Sequence, residues 1–239
     1  RDHLPNTNAL VVQDATAGIW VPLEHVDLPD EFERGCEVEV EGRTDRGGFA
    51  PKLIATSVRV VGPGVLPEAR AVSDERFFSG ADTCSRVMVD GILQGYRDDD
   101  NKWLLIVERS GRRFMASVPK PLLAQDPAAL VDAKLRLTGV ATSNFNTRGE
   151  FMSPRVTVQL PDGVIVLEPP RSKPFDAPFV SLDLIGQFRP QPVGGHRVRT
   201  EGTVTFVNPD AFIQVQDGPV GVRVHTRTSE DVAVGDRVE

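Results

Sequence analysis

Aromatic and arginine side chains gather in the middle third of the chain, where together they could bind a ligand. Aromatic rings can stack on bases or sugars, and guanidiniums can hold phosphates or carboxylates. The candidate ligand-binding residues are Tyr96, Arg97, Trp103, Arg109, Arg113, Asn144, Asn146 and Arg148. A structural interpretation competes with this one, since Trp103 could close one end of a β-barrel and the arginines could keep strands soluble.

The sequence lacks the residue patterns that usually carry catalysis. Its four histidines, His3, His25, His196 and His225, lie far apart, and no His-x-x-x-His or Cys-x-x-Cys pair suggests a zinc site. No Gly-x-Ser-x-Gly elbow, phosphate-binding loop or dinucleotide fingerprint occurs. The consecutive acids at 98–100 lack the spaced oxygen ligands that calcium needs, and they suggest a hydrated turn. We therefore predict that this stretch is not an enzyme and uses no metal and no cofactor.

The charge of the chain argues against general nucleic-acid binding, which depends on Lys and Arg contacts to phosphates. The formal net charge is -7. Residues 1–62 carry 6 Lys and Arg against 11 Asp and Glu, whereas residues 85–168 carry 11 against 10. Only the middle segment could present a basic surface, so single-stranded nucleic acid is an alternative ligand and not the first expectation.

One sequence motif occurs twice, at residues 10–21 and at residues 213–224. Both copies contain a Gln-Asp pair followed, four residues after the Asp, by a glycine, which predicts a β-hairpin with a glycine of positive φ in its turn. Asp14 and Asp217 would accept hydrogen bonds from backbone N–H groups in these turns. Trp20 alternates with apolar neighbours and should therefore face outward, where we expect it to contact a linker or a partner.

Longer segments also recur, since Gly91 and Gly202 occupy matching strands 111 residues apart. The middle copy is predicted to contain three strands, a short helix over 126–131 and two further strands, the last over about 155–160. This order is typical of the OB-fold, a five-stranded Greek-key barrel. An immunoglobulin-like sandwich is the alternative, but it would need about seven strands per unit.

The predicted fold class is therefore all-β, with tandem OB-fold barrels, short helices and Pro-rich docked linkers. Aromatic residues in the linkers, among them Phe77, Phe78, Phe179 and Phe188, should hold short helices against the barrels. The predicted parts are 1–62, a unit lacking its first strand; 63–84, a linker with a short helix; 85–168, a complete unit; 169–195, a second such linker; and 196–239, a unit cut at its fourth strand.

The motifs resemble a known class of repeat. Gln-Asp-x-x-x-Gly-Ile/Val-x-Val, Gly-Cys/Asp-x-Val-Glu, Gly-Phe-Ala-Pro and linkers ending in Val-Ser-x-Asp are similar to tandem OB-type repeats in the extracytoplasmic N-terminal region of bacterial sensor histidine kinases. The resemblance covers nearly the whole chain. It implies a sensory or scaffolding region in the periplasm, ahead of a membrane segment and a kinase core, although a cytoplasmic location stays open.

We therefore expect a non-catalytic sensory or protein-interaction module of a bacterial signal-transduction protein. Its partners would be a protein or a small extracellular ligand, and it would meet a membrane only through segments outside this sequence. A single-stranded nucleic-acid binder and a carbohydrate-binding module are the alternatives. Open barrel edges could also pair between chains and produce oligomers.

Overall fold

The computed structural model describes residues 9–24, 26–146, 148–171, 174–185, 195–209, 211–226 and 231–239. Strands dominate these residues and their helices are short, which confirms the all-β class. Contacts group the chain into two compact units, Arg1–Pro169 and Pro170–Glu239. The finer division into five parts stays a prediction.

The described part of the first unit contains eleven strands. They are β1 (Ala9–Gln13), β2 (Gly18–Pro22), β3 (Glu37–Asp45), β4 (Lys52–Gly62), β5 (Arg70–Ala71), β6 (Arg86–Asp99), β7 (Lys102–Arg109), β8 (Arg112–Pro119), β9 (Lys134–Phe145), β10 (Phe151–Thr157) and β11 (Val164–Glu168). Helix α1 (Asp74–Ser79) precedes β6, and 3₁₀ turns at Lys120–Leu122 and Pro127–Leu130 connect β8 to β9.

Five of these strands close into a barrel. The pairing runs β6-β7-β8-β10-β9 and returns to β6, with β8 and β10 parallel and the other neighbours antiparallel. Every second side chain points inward, so Leu105, Val107, Leu135, Leu137 and Val156 are all fully buried. This alternation leaves the other residues of each strand on the outer face of the barrel.

A smaller four-stranded sheet, in the order β1-β2-β4-β3, stands before the barrel in the chain. Its core contains Val21, Leu23, Ala55 and Val58. The glutamates of β3 alternate with half-buried valines and are exposed, as expected for solvated charge. Within the described residues β1 and β3 are the two edges of this sheet. Oligomer formation through such edges stays a prediction.

Helix α1 is docked on the barrel. It begins after Ser73, whose hydroxyl accepts a hydrogen bond from the backbone N–H of Arg76. Phe77 and Phe78 are almost fully buried, and the ring of Phe77 lies edge-on to Phe114 at 4.9 Å. These aromatic side chains therefore hold α1 against the barrel.

The second unit contains α2 (Leu182–Ile185), β12 (Gly202–Asn208), β13 (Phe212–Asp217), β14 (Val220–His225), β15 (Arg237–Val238) and a 3₁₀ turn at Pro174–Asp176. The sheet order is β14-β13-β12-β15. Leu182 is buried with Val204, Ile213 and Val215, whereas Phe179 is 51% exposed. Leu182, and not the predicted Phe179, therefore anchors α2; the other aromatic assigned to this linker, Phe188, lies outside the described residues.

Two local predictions were wrong in detail. The last barrel strand was placed at 155–160, but β10 runs over Phe151–Thr157 and β11 follows it. β10 begins at Phe151 and includes Pro154, and its pairing with β9 is irregular between Phe151 and Ser153. Strands tolerate proline at such irregularities. The predicted helix at 126–131 is a single 3₁₀ turn.

Candidate functional site

A cleft of about 1020 Å³ lies within the first unit, between the β1-β2 hairpin and the outer face of the barrel. Both walls follow from strand alternation. On the hairpin, Leu10 and Val12 pack into the core of the small sheet, which turns Ala9 and Val11 toward the cleft. Trp20, the cross-strand partner of Val11, lies on the same wall. The hairpin therefore presents a flat apolar surface.

The opposite wall comes from three adjacent barrel strands and is polar. Ser117 of β8, Thr142 of β9, and Arg155 and Thr157 of β10 line it. Their sequence neighbours Ala116, Ala141 and Val156 point inward and are buried, so these polar side chains must face out. The hydroxyl oxygens of Thr142 and Thr157 lie 3.4 Å apart. This wall therefore carries hydroxyl groups and a guanidinium, with Ser117 itself nearly buried.

The hairpin is fastened to the barrel by the repeated motif itself. The side-chain oxygen of Gln13 accepts a hydrogen bond from the backbone N–H of Arg86, at 2.8 Å. Gly18, the cross-strand partner of Gln13, packs so closely that a Cβ there would lie 1.7 Å from the carbonyl oxygen of Cys84. Only glycine permits this approach.

The motif glycines correct the predicted turn chemistry. Neither Gly18 nor Gly221 has positive φ; in the second copy Gly218 takes that conformation instead. The predicted role of Asp14 is confirmed, because its carboxylate accepts hydrogen bonds from the backbone N–H groups of Thr16 and Ala17. These bonds, led by that from the Thr16 hydroxyl, lower the pKa of Asp14 to about 2. Gln13 and Gly18 therefore hold the β1-β2 hairpin against the barrel, and Asp14 stabilises the turn of that hairpin.

Aromatic rings join the small sheet to the barrel at another border of the cleft. Phe49 stacks on Phe151 with ring centroids 4.9 Å apart and lies 5.9 Å from Phe145. Arg34 adds a hydrogen bond from its guanidinium to the carbonyl oxygen of Gln159 at 2.6 Å. Contacts at several points therefore set the width of the cleft before any ligand binds.

The lining carries more positive than negative charge. Lys52, Lys102 and Arg155 line the cleft together with one acidic residue, Asp45. Lys102 also pairs with Asp99 at 3.2 Å, whereas the carboxylate of Asp45 accepts the backbone N–H of Gly47. In a chain of net charge -7 this is a locally cationic surface.

Cys84 borders the cleft but is a poor nucleophile. The side chain is buried, and burial raises the pKa of its thiol to about 11. The thiol therefore stays protonated at neutral pH, and the thiolate that attacks electrophiles is scarce. Both cysteines are free, Cys84 buried and Cys36 half-buried.

The predicted residues Tyr96 and Trp103 form a pair on the barrel, outside the cleft lining. Their rings meet edge to face at 5.6 Å, and both pack against the barrel core. The ammonium of Lys120 lies 4.6 Å from the centre of the Trp103 ring. Arg97, on the same strand as Tyr96, is exposed. A ligand role for these three residues stays a prediction.

Arg109 and Arg113 already hold protein partners. The guanidinium of Arg109 pairs with Asp74 and donates to the carbonyl oxygen of Val72 at 2.9 Å, which ties β7 to the start of α1. Arg113 donates to the side-chain oxygen of Gln94 at 2.7 Å. Both arginines therefore stabilise the first unit through these contacts, and their predicted role in ligand binding stays a prediction.

The predicted loop residues lie at the tip of the β9-β10 hairpin. Asn144 donates to the hydroxyl of Ser153, and the side-chain oxygen of Asn146 accepts the backbone N–H groups of Arg148 and Glu150. Arg148 is exposed. Their neighbours Phe145 and Gly149 line the cleft. The loop therefore borders the cleft, although these three residues are not part of its lining.

Trp20 is the one predicted residue that lines the cleft, and it faces away from the small core as expected. The wall near it includes Thr83 and Cys84, at the end of the predicted linker, and residues of the barrel. Sequence reasoning missed Arg155, Ser117, Thr142 and Thr157. The sequence signal for these residues was that they are the polar members of alternating strands. Such residues look like an ordinary solvated face until another surface is known to lie opposite them.

Within the described residues, no three His, Cys, Asp or Glu side chains converge in a way that could hold a metal ion. No helix there is both long and apolar enough to cross a membrane. No family model matches the chain, and no curated protein matches it significantly.

Proposed function

We propose that the chain is a non-catalytic sensory or protein-interaction region of a bacterial signal-transduction protein, and that the cleft of its first unit is the binding site. The observation that carries the proposal is the cleft itself. It combines an apolar wall containing Trp20 with a hydroxyl-lined and cationic wall containing Arg155. A concave site with few polar groups opposite an apolar surface is the usual form of a small-molecule site.

The proposal includes tandem OB-folds as the architecture. The barrel order β6-β7-β8-β10-β9, closed on β6, corresponds to strands 1-2-3-5-4 of that fold, with a parallel contact between strands 3 and 5. The small sheet β1-β2-β4-β3 fits strands 2-3-5-4 of the same order. In the second unit, β14-β13-β12-β15 fits strands 3-2-1-4. All three sheets agree with one topology.

The signalling role and the extracytoplasmic location rest on the repeated motifs and their resemblance to sensor kinase repeats. An alkaline phosphatase fusion inserted after residue 239 in the intact bacterial protein tests the location. High phosphatase activity is expected, because this enzyme folds only in an oxidising compartment. Activity at the level of a cytoplasmic control would overturn the location and leave the binding site standing.

A thermal-shift screen of the full chain tests the binding site. Libraries of metabolites, short peptides and short glycans are compared on the wild type and on a cleft variant, Trp20→Ala with Arg155→Ala. We expect at least one compound to raise the Tm of the wild type and not that of the variant, because a ligand stabilises only the state that binds it. Compounds that shift both proteins equally, or no shift at all, would overturn the cleft as the binding site.

Labelled oligonucleotides separate this proposal from nucleic-acid binding. Phosphate contacts make such binding fall steeply with added salt. We expect no binding that depends on salt in this way. Micromolar binding that weakens steeply with salt and is lost in a Tyr96→Ala, Trp103→Ala variant would instead favour a single-stranded nucleic-acid binder that uses the barrel.

A further inference from the structure

We propose that the cleft binds an uncharged aromatic compound, held by the rings of Trp20, Phe49 and Phe145. This inference rests on the proposed function, since it requires the cleft to be the ligand site, and it names the chemical class of that ligand. It follows from two properties of the lining. Its polar side chains already have partners within the protein, and its aromatic rings are partly exposed.

The charged side chains of the lining are engaged within the protein. Lys102 pairs with Asp99 at 3.2 Å. Lys52 lies directly across the β3-β4 ladder from Asp45, where opposite charges attract each other. Arg155 also has an interaction partner in the chain. An anionic ligand would have to compete with these partners, so the cations of the lining do not by themselves favour a carboxylate or a phosphate.

The hydroxyl groups of the lining do not depend on a ligand either. The hydroxyl oxygens of Thr83 and Ser143 lie 2.8 Å apart, and those of Thr142 and Thr157 lie 3.4 Å apart. Ser117 is nearly buried. A polar group is costly to cover only when it loses its hydrogen-bond partner. A ligand that offers no hydrogen bonds can therefore cover this wall and leave both hydroxyl pairs intact.

Aromatic rings supply much of the apolar surface that a ligand can cover. Trp20 is half-buried, whereas Phe49 and Phe145 are 41% and 42% exposed, and all three line the cleft. Exposed apolar surface in a concave site is typical of ligand binding. Rings attract other rings in offset-stacked or edge-to-face contacts, as Phe49 and Phe151 already show at 4.9 Å. The lining therefore favours an aromatic ligand over an aliphatic one.

The size and rigidity of the cleft suit a molecule of several rings. Its volume of about 1020 Å³ lies at the upper end of ordinary small-molecule sites. The Gln13–Arg86 hydrogen bond and the Phe49–Phe151 stack hold the small sheet and the barrel together on either side of it. A preformed site spares the ligand part of the ordering cost of binding.

A pair of fluorescent probes tests the absence of charge. N-phenyl-1-naphthylamine is uncharged, and 8-anilino-1-naphthalenesulfonate is the same ring system with one sulfonate added; both become brighter in apolar sites. We expect the uncharged probe to bind the full chain saturably and at least tenfold more tightly than the sulfonate. Added salt should change its Kd by less than about twofold, because no ion pair with the ligand is screened.

A pair of competitors tests the need for aromatic rings. Naphthalene-2-methanol and its fully hydrogenated form have the same carbon skeleton and hydroxyl group, but only the first is aromatic. Both are used to displace the bound N-phenyl-1-naphthylamine. We expect the aromatic alcohol to act at a concentration at least threefold lower, because ring–ring contacts add to the burial of apolar area.

Matched substitutions place the bound probe. Trp20→Leu and Phe145→Leu keep an apolar side chain and remove the ring, so each should weaken binding of the uncharged probe at least threefold. Phe179→Leu removes a phenylalanine that is 51% exposed in the second unit, and it should leave the Kd unchanged. Circular dichroism and Tm show that each variant is folded. If Trp20→Leu is not folded, Phe145→Leu alone decides this point.

Each contrary result overturns a defined part. Equal or tighter binding of the sulfonate overturns the uncharged assignment, and equal displacement by the hydrogenated alcohol overturns the aromatic one. Loss of binding in Phe179→Leu but in neither cleft variant places the probe elsewhere and overturns the inference. If the uncharged probe does not bind but the thermal-shift screen finds a ligand that depends on Trp20 and Arg155, this inference fails and the proposed site stands. If neither experiment finds a ligand that depends on cleft residues, both fail.

Discussion

Replacing Gly18 by alanine should detach the β1-β2 hairpin from the barrel. The added Cβ would lie 1.7 Å from the carbonyl oxygen of Cys84, whereas ordinary contact needs about 3.5 Å, so the two backbones must separate by about 1.8 Å. That shift breaks the hydrogen bond between Gln13 and the Arg86 N–H. The same residue type in the second copy of the motif, Gly221, has no atom nearer than 3.7 Å and is the matched control.

The expected magnitude follows from three contributions to the free energy of unfolding. Overpacking costs about 1–3 kcal/mol, and loss of the Gln13 hydrogen bond costs about 1 kcal/mol. Alanine restricts the unfolded chain and returns about 0.5–1 kcal/mol. The net loss is about 1–3.5 kcal/mol, or roughly 2–14 °C in the Tm of a unit of this size. Gly221→Ala contains only the last contribution and should be neutral or slightly stabilising.

Scanning calorimetry measures the Tm of both variants, and hydrogen exchange gives the local readout. The Arg86 amide should exchange faster in Gly18→Ala than in the wild type, because its acceptor has moved away. In Gly221→Ala the Arg86 amide should behave as in the wild type. A Gly18→Ala protein with unchanged Tm and a protected Arg86 amide would refute the docking role of the motif.

Three further predictions concern buried or paired groups. Asp82 is almost fully buried between Arg70 and Arg76, so Asp82→Ala should lower the free energy of unfolding in urea by about 1–3 kcal/mol. Asp98→Ala breaks the exposed pair with Lys120 and should cost less than about 1 kcal/mol. Equal losses would contradict the burial argument. The hydrogen bond from Arg136 lowers the pKa of Asp90, so this pair stabilises the folded state above the unfolded pKa near 3.8, and the stabilisation is lost as the pH falls through the folded pKa. Asp90→Asn should therefore flatten the fall in the free energy of unfolding between about pH 5 and pH 2. An unchanged pH profile would be the contrary result. Burial raises the pKa of the Cys84 thiol to about 11, so iodoacetamide at neutral pH should modify Cys36 before Cys84. In Gly18→Ala the modification of Cys84 should be faster, and mass spectrometry measures both rates. Faster modification of Cys84 than of Cys36 in the wild type would contradict this prediction.

Local chemistry made part of the fold predictable. Strands with period-two alternation indicate their inward face in the sequence, as in β9, where the buried Leu135 and Leu137 alternate with polar residues. The Ser73 cap and the aromatic anchor Phe77 are likewise visible within a few residues of one another. The start of β10 at Phe151 was not predicted, because sequence patterns describe regular ladders and the pairing of this strand with β9 is irregular between Phe151 and Ser153.

The cleft depends on contacts that no local pattern contains. Gly18 was assigned to turn chemistry because its motif surrounds a turn, but the atom that requires a glycine belongs to Cys84, far along the chain. Arg155 and Thr157 have the spacing of any solvated strand face, and only the hairpin opposite them makes that face a wall. Tyr96 and Trp103 were predicted as ligand-binding residues from their aromatic type and their place in the middle unit, and neither criterion distinguishes a binding surface from packing against the core.

A crystal structure of the full chain with a compound from the screen tests the binding site most directly. The ligand should lie between Trp20 and the wall that contains Arg155 and Thr157. A ligand bound instead over Tyr96 and Trp103, or anywhere outside the cleft, would contradict the assignment.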